Sequence, residues 1–162
     1  MDALNPQAPL PAQPGSDLVH IGSTTPLGVG ACQLITLRQH SDHRGPLAVL
    51  GQGDAPLPFT PQRIFLVHHV TGPVRGEHAH RLCHQLLLCT HGSVRIRIDD
   101  GRHQHTITLN QPHLALHIPP MIWAEQDQHS PDAALLVLAS HPYDPSDYLR
   151  SRQSWLAALA AS

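Results

Sequence analysis

Lysine is missing altogether: all ten basic residues of the 162 are Arg, set against twelve acidic ones for a formal net charge of −2. With no basic run to follow a phosphate backbone, neither nucleic acid nor an anionic membrane is expected as the main partner. Aromatic residues are scarce at 4%, so the core must rest on Leu, Ile, Val and Ala. No apolar stretch approaches the roughly 18 residues that a membrane span needs. The start, Met1-Asp2-Ala3-Leu4, lacks the basic and apolar regions of a secretory signal, and the protein is expected to be cytoplasmic. Cys32, Cys83 and Cys89 form no CxxC and leave an odd thiol, which fits reduced, half-buried residues better than a disulfide frame. What the chain does have is histidine, fifteen residues of it. Such density is compatible with metal binding, acid–base chemistry or compositional drift, and only spacing separates them.

Residues 1–31 carry Pro6, Pro9, Pro11, Pro14 and Pro26 with no apolar period, and are expected to form a Pro-rich flexible leader. From residue 32 to 162 a single domain is expected, built of short apolar runs separated by turn residues. Strand candidates are Cys32–Arg38, Leu47–Leu50, Arg63–Val70 and His84–Thr90. Ser93–Asp99 alternates strictly, with Val94, Ile96 and Ile98 on one face and Arg95, Arg97 and Asp99 on the other, which marks a half-buried strand. Asp100-Gly101 predicts a two-residue hairpin turn into Arg102–Leu109. His113–Ile118, Trp123–Asp127 and Ala133–Ser140 follow as strands, and Ser151–Ala161 as a short Ala/Leu-rich helix. Many short strands and one late helix predict an all-β sandwich or barrel. No GxGxxG, Walker loop or GxSxG is present.

The chemistry concentrates in Gly72–Gly92. His78 and His80 are two residues apart, so on a strand both imidazoles point to one face. There they can share a metal ion, act as an acid–base pair, or simply decorate a solvated face. Gly72-x5-His78-x-His80-x4-Gln85-x6-Gly92 resembles the first cupin motif, which in metal-binding members places Glu where Gln85 stands. The second cupin motif adds a His after a Pro-x-Gly step; the matching stretch here, Pro119-Pro120-Met121-Ile122-Trp123-Ala124, has Ala124 at that place. Two of the four ligands are thereby lost, and an amide is a poor substitute for carboxylate or imidazole. Only His84 or Glu125 could compensate, so no metal is expected.

Arg75-Gly76-Glu77-His78-Ala79-His80-Arg81 resembles the RGxHAHK signature of the sugar 3,4-ketoisomerases. The resemblance continues in order through Asp42-His43-Arg44-Gly45-Pro46-Leu47, Arg63-Ile64-Phe65, His91-Gly92-Ser93-Val94, Asp99-Asp100-Gly101, Tyr143-Asp144 and Asp147-Tyr148-Leu149-Arg150. It covers roughly residues 32–155. It implies a cupin-like jelly-roll, a homodimer that exchanges N-terminal strands, no cofactor, and action on a dTDP-linked 4-keto-6-deoxyglucose in deoxysugar biosynthesis. His78 and His80 would be the catalytic pair.

Such a reaction moves a ketone from C4 to C3 through an enediolate, and imidazole, with an unperturbed pKa of about 6.5, suits both proton transfers. Two imidazoles allow one to work at carbon while the other relays protons between the oxygens; either could be the carbon base. Arg75 and Gln85 flank the pair as donors to the developing oxyanion. Arg44 and Arg63 are the candidates for the diphosphate, and Phe65 and Trp123 for contact with the substrate, Trp123 being equally suited to a core. The resembling family commonly carries tyrosine on the strand holding Phe65 and Leu66, where this chain has no phenol. That moves the relay to His68, His69 or His84, or points to a non-catalytic cupin that binds a nucleotide sugar for a partner enzyme. A metal-dependent cupin is the third reading.

Overall fold

The computed structural model describes residues 18–51 and 57–162. The described residues contain fourteen strands, one 3-10 turn and one α-helix. Six strands form one layer: β2 (Ser23–Pro26), β3 (Gln33–Thr36), β11 (Leu114–Ile118), β8 (Gln85–His91), β13 (Ala134–Ala139) and β6 (Arg63–His68), in that spatial order. Five form the facing layer: β10 (Gln104–Leu109), β9 (Val94–Asp99), β12 (Trp123–Asp127), β7 (Val74–His80) and β14 (Tyr148–Leu149). Every pairing is antiparallel. The result is a cupin-like jelly-roll. A third, three-stranded sheet joins β1 (Leu18–His20), β4 (Arg38–Asp42) and β5 (Gly45–Val49).

Alternation along the strands fills the space between the layers. Val94, Ile96 and Ile98 of β9 meet Leu87 and Cys89 of β8, Leu116 and Ile118 of β11, and Leu135 and Val137 of β13. Aliphatic chains do what the missing aromatics cannot. The outer face of the six-stranded layer makes a second cluster, Leu86, Leu88, Ala115 and Leu138 under Ala48, Leu50, Leu57 and Phe59. A third lies outside the five-stranded layer, where α1 (Arg152–Ala160) seats Trp155 against Trp123, Ala79 and Leu149. Ser151 caps that helix, its hydroxyl accepting from the Ser154 N–H at 3.1 Å.

Two expectations shift. The ordered chain reaches back past residue 32: β1 and β2 lie within residues 18–26, and Val29 is buried in the core with Cys32. Proline count concealed this, because Pro26 ends an edge strand where its missing N–H costs nothing. The first seventeen residues of the expected leader, and residues 52–56 of the Gly/Pro-rich loop, lie outside the described residues. The Asp100-Gly101 turn is also longer than a two-residue hairpin, since β10 starts at Gln104, opposite Asp99. The Asp100 carboxylate explains it: Oδ1 accepts from the N–H groups of Arg102 and His103, at 2.8 and 2.7 Å, and Oδ2 from Gly30 at 2.8 Å. This side chain organises a four-residue turn and ties it to the start of the barrel.

Candidate active site

β7 is a poor strand by composition, Val-Arg-Gly-Glu-His-Ala-His, and it is held in place by β12 on one side and β14 on the other. His78 and His80 both face the space between the layers, as the two-residue spacing predicts. Their rings stand edge to face with centroids 5.0 Å apart. A β-bulge then interrupts the strand. Ala124 pairs with His78 but the next residue, Glu125, pairs with Gly76, leaving Glu77 as the extra residue. Gly76 and Glu77 take φ of 81° and 54°, and a Cβ on Gly76 would meet the Ala124 carbonyl oxygen at 2.8 Å. The inserted residue inverts the parity. Arg75, three residues from His78, is thereby turned to the same side, opposite Gln126.

Each imidazole has one nitrogen committed and one open. His78 Nδ1–H donates to the Gly76 carbonyl at 2.9 Å. His80 Nδ1–H donates to Asp147 Oδ2 at 2.7 Å. Both acceptors lack a proton to give, so both rings carry their hydrogen on Nδ1 and present Nε2 as a lone pair. The buried Nε2 of His80 has no protein partner. Burial pushes the His80 pKa down to about 4, beyond what its bond to Asp147 restores. His78 is lowered by the same cause, against the pull of its bond to Gly76. Both are therefore neutral at pH 7. Asp147 has its own anchors. Burial raises its pKa, but hydrogen bonds from His80 and from the N–H groups of Leu82 (2.7 Å) and Cys83 outweigh that and hold it below the usual carboxylate range.

A cavity of about 120 Å³ opens along this face, lined by Phe65, Arg75, His78, Gln85, Gln126 and Tyr148 among others. Gln85, the first residue of β8, is buried between His80 and the core. Arg63 enters from β6, its guanidinium 5.3 Å over the Phe65 ring and 5.5 Å over Tyr143. Of the residues singled out in the sequence, Phe65, Arg75, His78 and Gln85 line this cavity; His80 stands beside His78, sharing a smaller recess with it and Gln85, and Arg63 reaches the rim over Phe65.

Two do not. Trp123 has the opposite parity to Ala124 and Gln126 on β12. Its ring lies under the helix, 5.6 Å from Trp155, with Nε1–H donating to Glu125 at 2.9 Å. It belongs to the outer core rather than to a substrate surface. Arg44 sits at the β4–β5 turn, its Nε–H on Asp42 at 2.9 Å, and is not among the residues that line the cavity. The histidines expected to replace a missing phenol also point elsewhere. His68 and His69 are exposed. His84 lies on the outer face, Nδ1 3.1 Å from Nε2 of His117.

Sequence reasoning gave no role to three further residues of the site. Asp147 and Tyr148 arrive from more than sixty residues downstream, brought by the pairing of Tyr148 with His80 in β14. The Tyr148 ring covers both imidazoles, with centroids 5.0 Å from His78 and 4.3 Å from His80. Its hydroxyl is 3.5 Å from Arg63 Nη2. Gln126 brings an amide whose buried Oε1 has no protein partner. A polar residue at alternate spacing with Ala124 was the available signal for Gln126; for the other two it was the Asp147-Tyr148-Leu149-Arg150 match to the resembling family, which carried no role by itself.

The donor set does not suit the metal of the cupin fold. Ala124 stands directly opposite His78 with no ligand to offer, and Gln85 contributes an amide. Glu125 is turned outward to Trp123 and Arg97, and His84 to His117, so neither compensates. His80, Cys83 and Asp147 do place donor atoms within 4.8 Å of one another. Two of those three already share the hydrogen bond that fixes the His80 tautomer.

Comparison with known proteins gives one consistent answer. The model of the family described as FdtA, WxcM-like, C-terminal, matches residues 30–160. The TDP-4-oxo-6-deoxy-alpha-D-glucose-3,4-oxoisomerase of Aneurinibacillus thermoaerophilus is 33% identical over 129 residues, 79% of this chain and 92% of that protein. QdtA, a sugar 3,4-ketoisomerase from Thermoanaerobacterium thermosaccharolyticum solved with TDP, superposes with a TM-score of 0.74 at 33% identity, over 80% of this chain and 95% of its own. The WlaRB TDP-quinovose 3,4-ketoisomerase from Campylobacter jejuni gives 0.73 at 34% identity, over 80% and 99%. With a family model matched over residues 30–160 and four fifths of its length superposing on these enzymes, the chain belongs to the FdtA/WxcM-like family of sugar-nucleotide 3,4-ketoisomerases.

Proposed function

We propose that this protein converts TDP-4-keto-6-deoxyglucose to its 3-keto isomer, as a step in deoxysugar biosynthesis. The observation that carries the reading is the pair of adjacent neutral imidazoles, each with Nδ1 committed to a hydrogen bond and Nε2 left as the free base. The C4 ketone acidifies the hydrogen on C3. One Nε2 takes that proton, the C3–H electron pair becomes the C3=C4 bond, and the carbonyl electrons move to O4. The same imidazolium returns its proton to C4 as the C3=C4 pair forms the new C4–H bond, the O3–H electron pair closes the C3 ketone, and O4 ends with the proton that O3 gives up. The reaction is redox-neutral and needs no co-reactant. Arg63, Arg75 and the Gln85 amide offer N–H donors to the oxygens and the diphosphate. Family membership and the retained histidines support an enzyme over a non-catalytic binder, and the misfit donor set opposes a metal-dependent one.

The proposed assembly is a cytoplasmic homodimer. The three-stranded sheet exposes Val19 and Leu47, and Ile21 beside it, as apolar surface for strand exchange. Arg44 has a substrate role in this proposal only through the second protomer. Among the described residues no helix is long and apolar enough to cross a membrane. The test is a proton NMR time course with TDP-4-keto-6-deoxyglucose in D2O containing EDTA. A 3-keto product is expected, carrying deuterium at C4 to the extent that the imidazolium exchanges its proton with solvent before delivering it. Saturable TDP binding without turnover would reduce the protein to a binder, and neither binding nor turnover would sink the nucleotide-sugar assignment.

A further inference from the structure

The paired histidines give the site two bases and, on the imidazoles, no acid. With His78 and His80 both carrying hydrogen on Nδ1, and both Nδ1–H groups spent on Gly76 and Asp147, neither ring keeps an N–H for a ligand. Ketone isomerisation also moves protons at oxygen: O4 gains one as the enediol forms, and O3 loses one as the new ketone appears. Arg63 and Arg75 hydrogen-bond oxygen but do not surrender protons at physiological pH. Gln85 and Gln126 are amides. The Cys83 thiol, nearby, is directed at the His84 carbonyl, 3.3 Å away. Among the described residues lining the cavity, Tyr148 is the one that combines a transferable proton with a position over both imidazoles.

Resting on the ketoisomerase reading above, we propose that Tyr148, rather than the second imidazole, carries the oxygen-bound proton. As one imidazole takes H3, the phenol O–H gives its proton to O4 and becomes phenolate, and the enediol stands complete. As that imidazolium delivers its proton to C4, the phenolate takes the proton of O3 and the C3 ketone forms. Every bond made has one broken beside it, and both groups end as they began. Arg63 Nη2, 3.5 Å from the phenol oxygen, is placed to donate to it while it lacks its proton. The division of labour follows the topology: β7 supplies the carbon base, and β14, paired residue for residue beside it, supplies the oxygen acid.

The test compares wild type, Tyr148→Phe and Tyr148→Leu with TDP-4-keto-6-deoxyglucose in D2O, following product and C3 deuteration by NMR and TDP binding by calorimetry. Tyr148→Phe keeps the ring that covers the histidines and removes only the hydroxyl. It is expected to bind TDP as wild type does, to leave KM within about threefold, and to lower kcat by about 10²-fold or more. Deuterium wash-in at C3 should fall less than product formation, because enolisation can borrow a proton from solvent more readily than the complete transfer can. A Tyr148→Phe variant within about threefold of wild-type kcat, with Tyr148→Leu inactive, would show that the ring packs and the hydroxyl does nothing, and would overturn the proposal alone. No turnover by wild type would overturn it together with the function on which it rests.

Discussion

The two faces of the β9–β12–β7 layer use similar residues to opposite ends. On the outer face the charges of β9 and β12 are all paired. Arg95 makes a two-point contact with Asp127, at 2.7 and 2.8 Å, and Arg97 donates to Glu125 at 2.6 Å. Arg152 reaches Asp99, and Trp123 is closed in by its indole bond and Trp155. On the inner face the polar atoms stay open: Nε2 of His80 and Oε1 of Gln126 are buried without protein partners. A buried polar group left unpaired costs on the order of 1–3 kcal/mol, and folded proteins satisfy nearly all of them. Here the fold tolerates that cost on the inner face of β7 and β12, while the outer charges of β9 and β12 are paired. The contrast separates residues that hold the barrel from residues that act on a ligand.

Substitutions on the inner face should abolish chemistry without unfolding the protein. His78→Gln and His80→Gln are each expected to lower kcat by about 10²–10⁴-fold, with TDP affinity retained in calorimetry. Loss of TDP binding in step with activity would mean that the histidines hold the ligand rather than transform it. A smaller effect, on the order of 10²-fold in kcat, is expected for Asp147→Asn. The amide can donate to His80 Nδ1, driving the ring hydrogen to Nε2 and removing the lone pair from the cavity. Steady-state kinetics across pH 6–9 checks this, since a tautomer error is not repaired by raising pH. Crossing to the outer face reverses the pattern. Trp123→Phe loses the bond to Glu125 and part of the contact with Trp155, and should cost about 1–2 kcal/mol in thermal or denaturant unfolding. Its kcat and KM should stay within about twofold; a tenfold rise in KM would return Trp123 to the substrate surface.

Much of this contrast could be read from sequence. Alternation in Ser93–Asp99 announced which residues of β9 enter the core, and His78-x-His80 announced two imidazoles on one face. Both are local periodicities that the backbone enforces. What escaped depends on register between distant strands. The bulge that brings Arg75 to the cavity exists only in the pairing of Ala124 and Glu125 with β7. Asp147 and Tyr148 reach the histidines through a strand of two residues, too short for any pattern. Trp123 misled because the parity of β12 is set by its neighbours and not by hydrophobicity. The strands before residue 32 were hidden by a Pro-rich composition, and the one proline they contain, Pro26, ends a strand at a sheet edge.

The central claim is that His78 and His80 are neutral Nδ1–H bases at working pH, and nitrogen-15 NMR titration of histidine-labelled protein tests it most directly. Burial lowers both pKa values below the ordinary 6.5, that of His80 to about 4. A base with a depressed pKa stays unprotonated as pH falls, so both lone pairs should persist at pH 7 and be lost only in more acidic solution. The account predicts two Nδ1–H neutral tautomers at pH 7, with kcat/KM failing only below the ordinary imidazole range as the bases fill. An imidazolium signal from either residue at pH 7, or a hydrogen on Nε2, would contradict it.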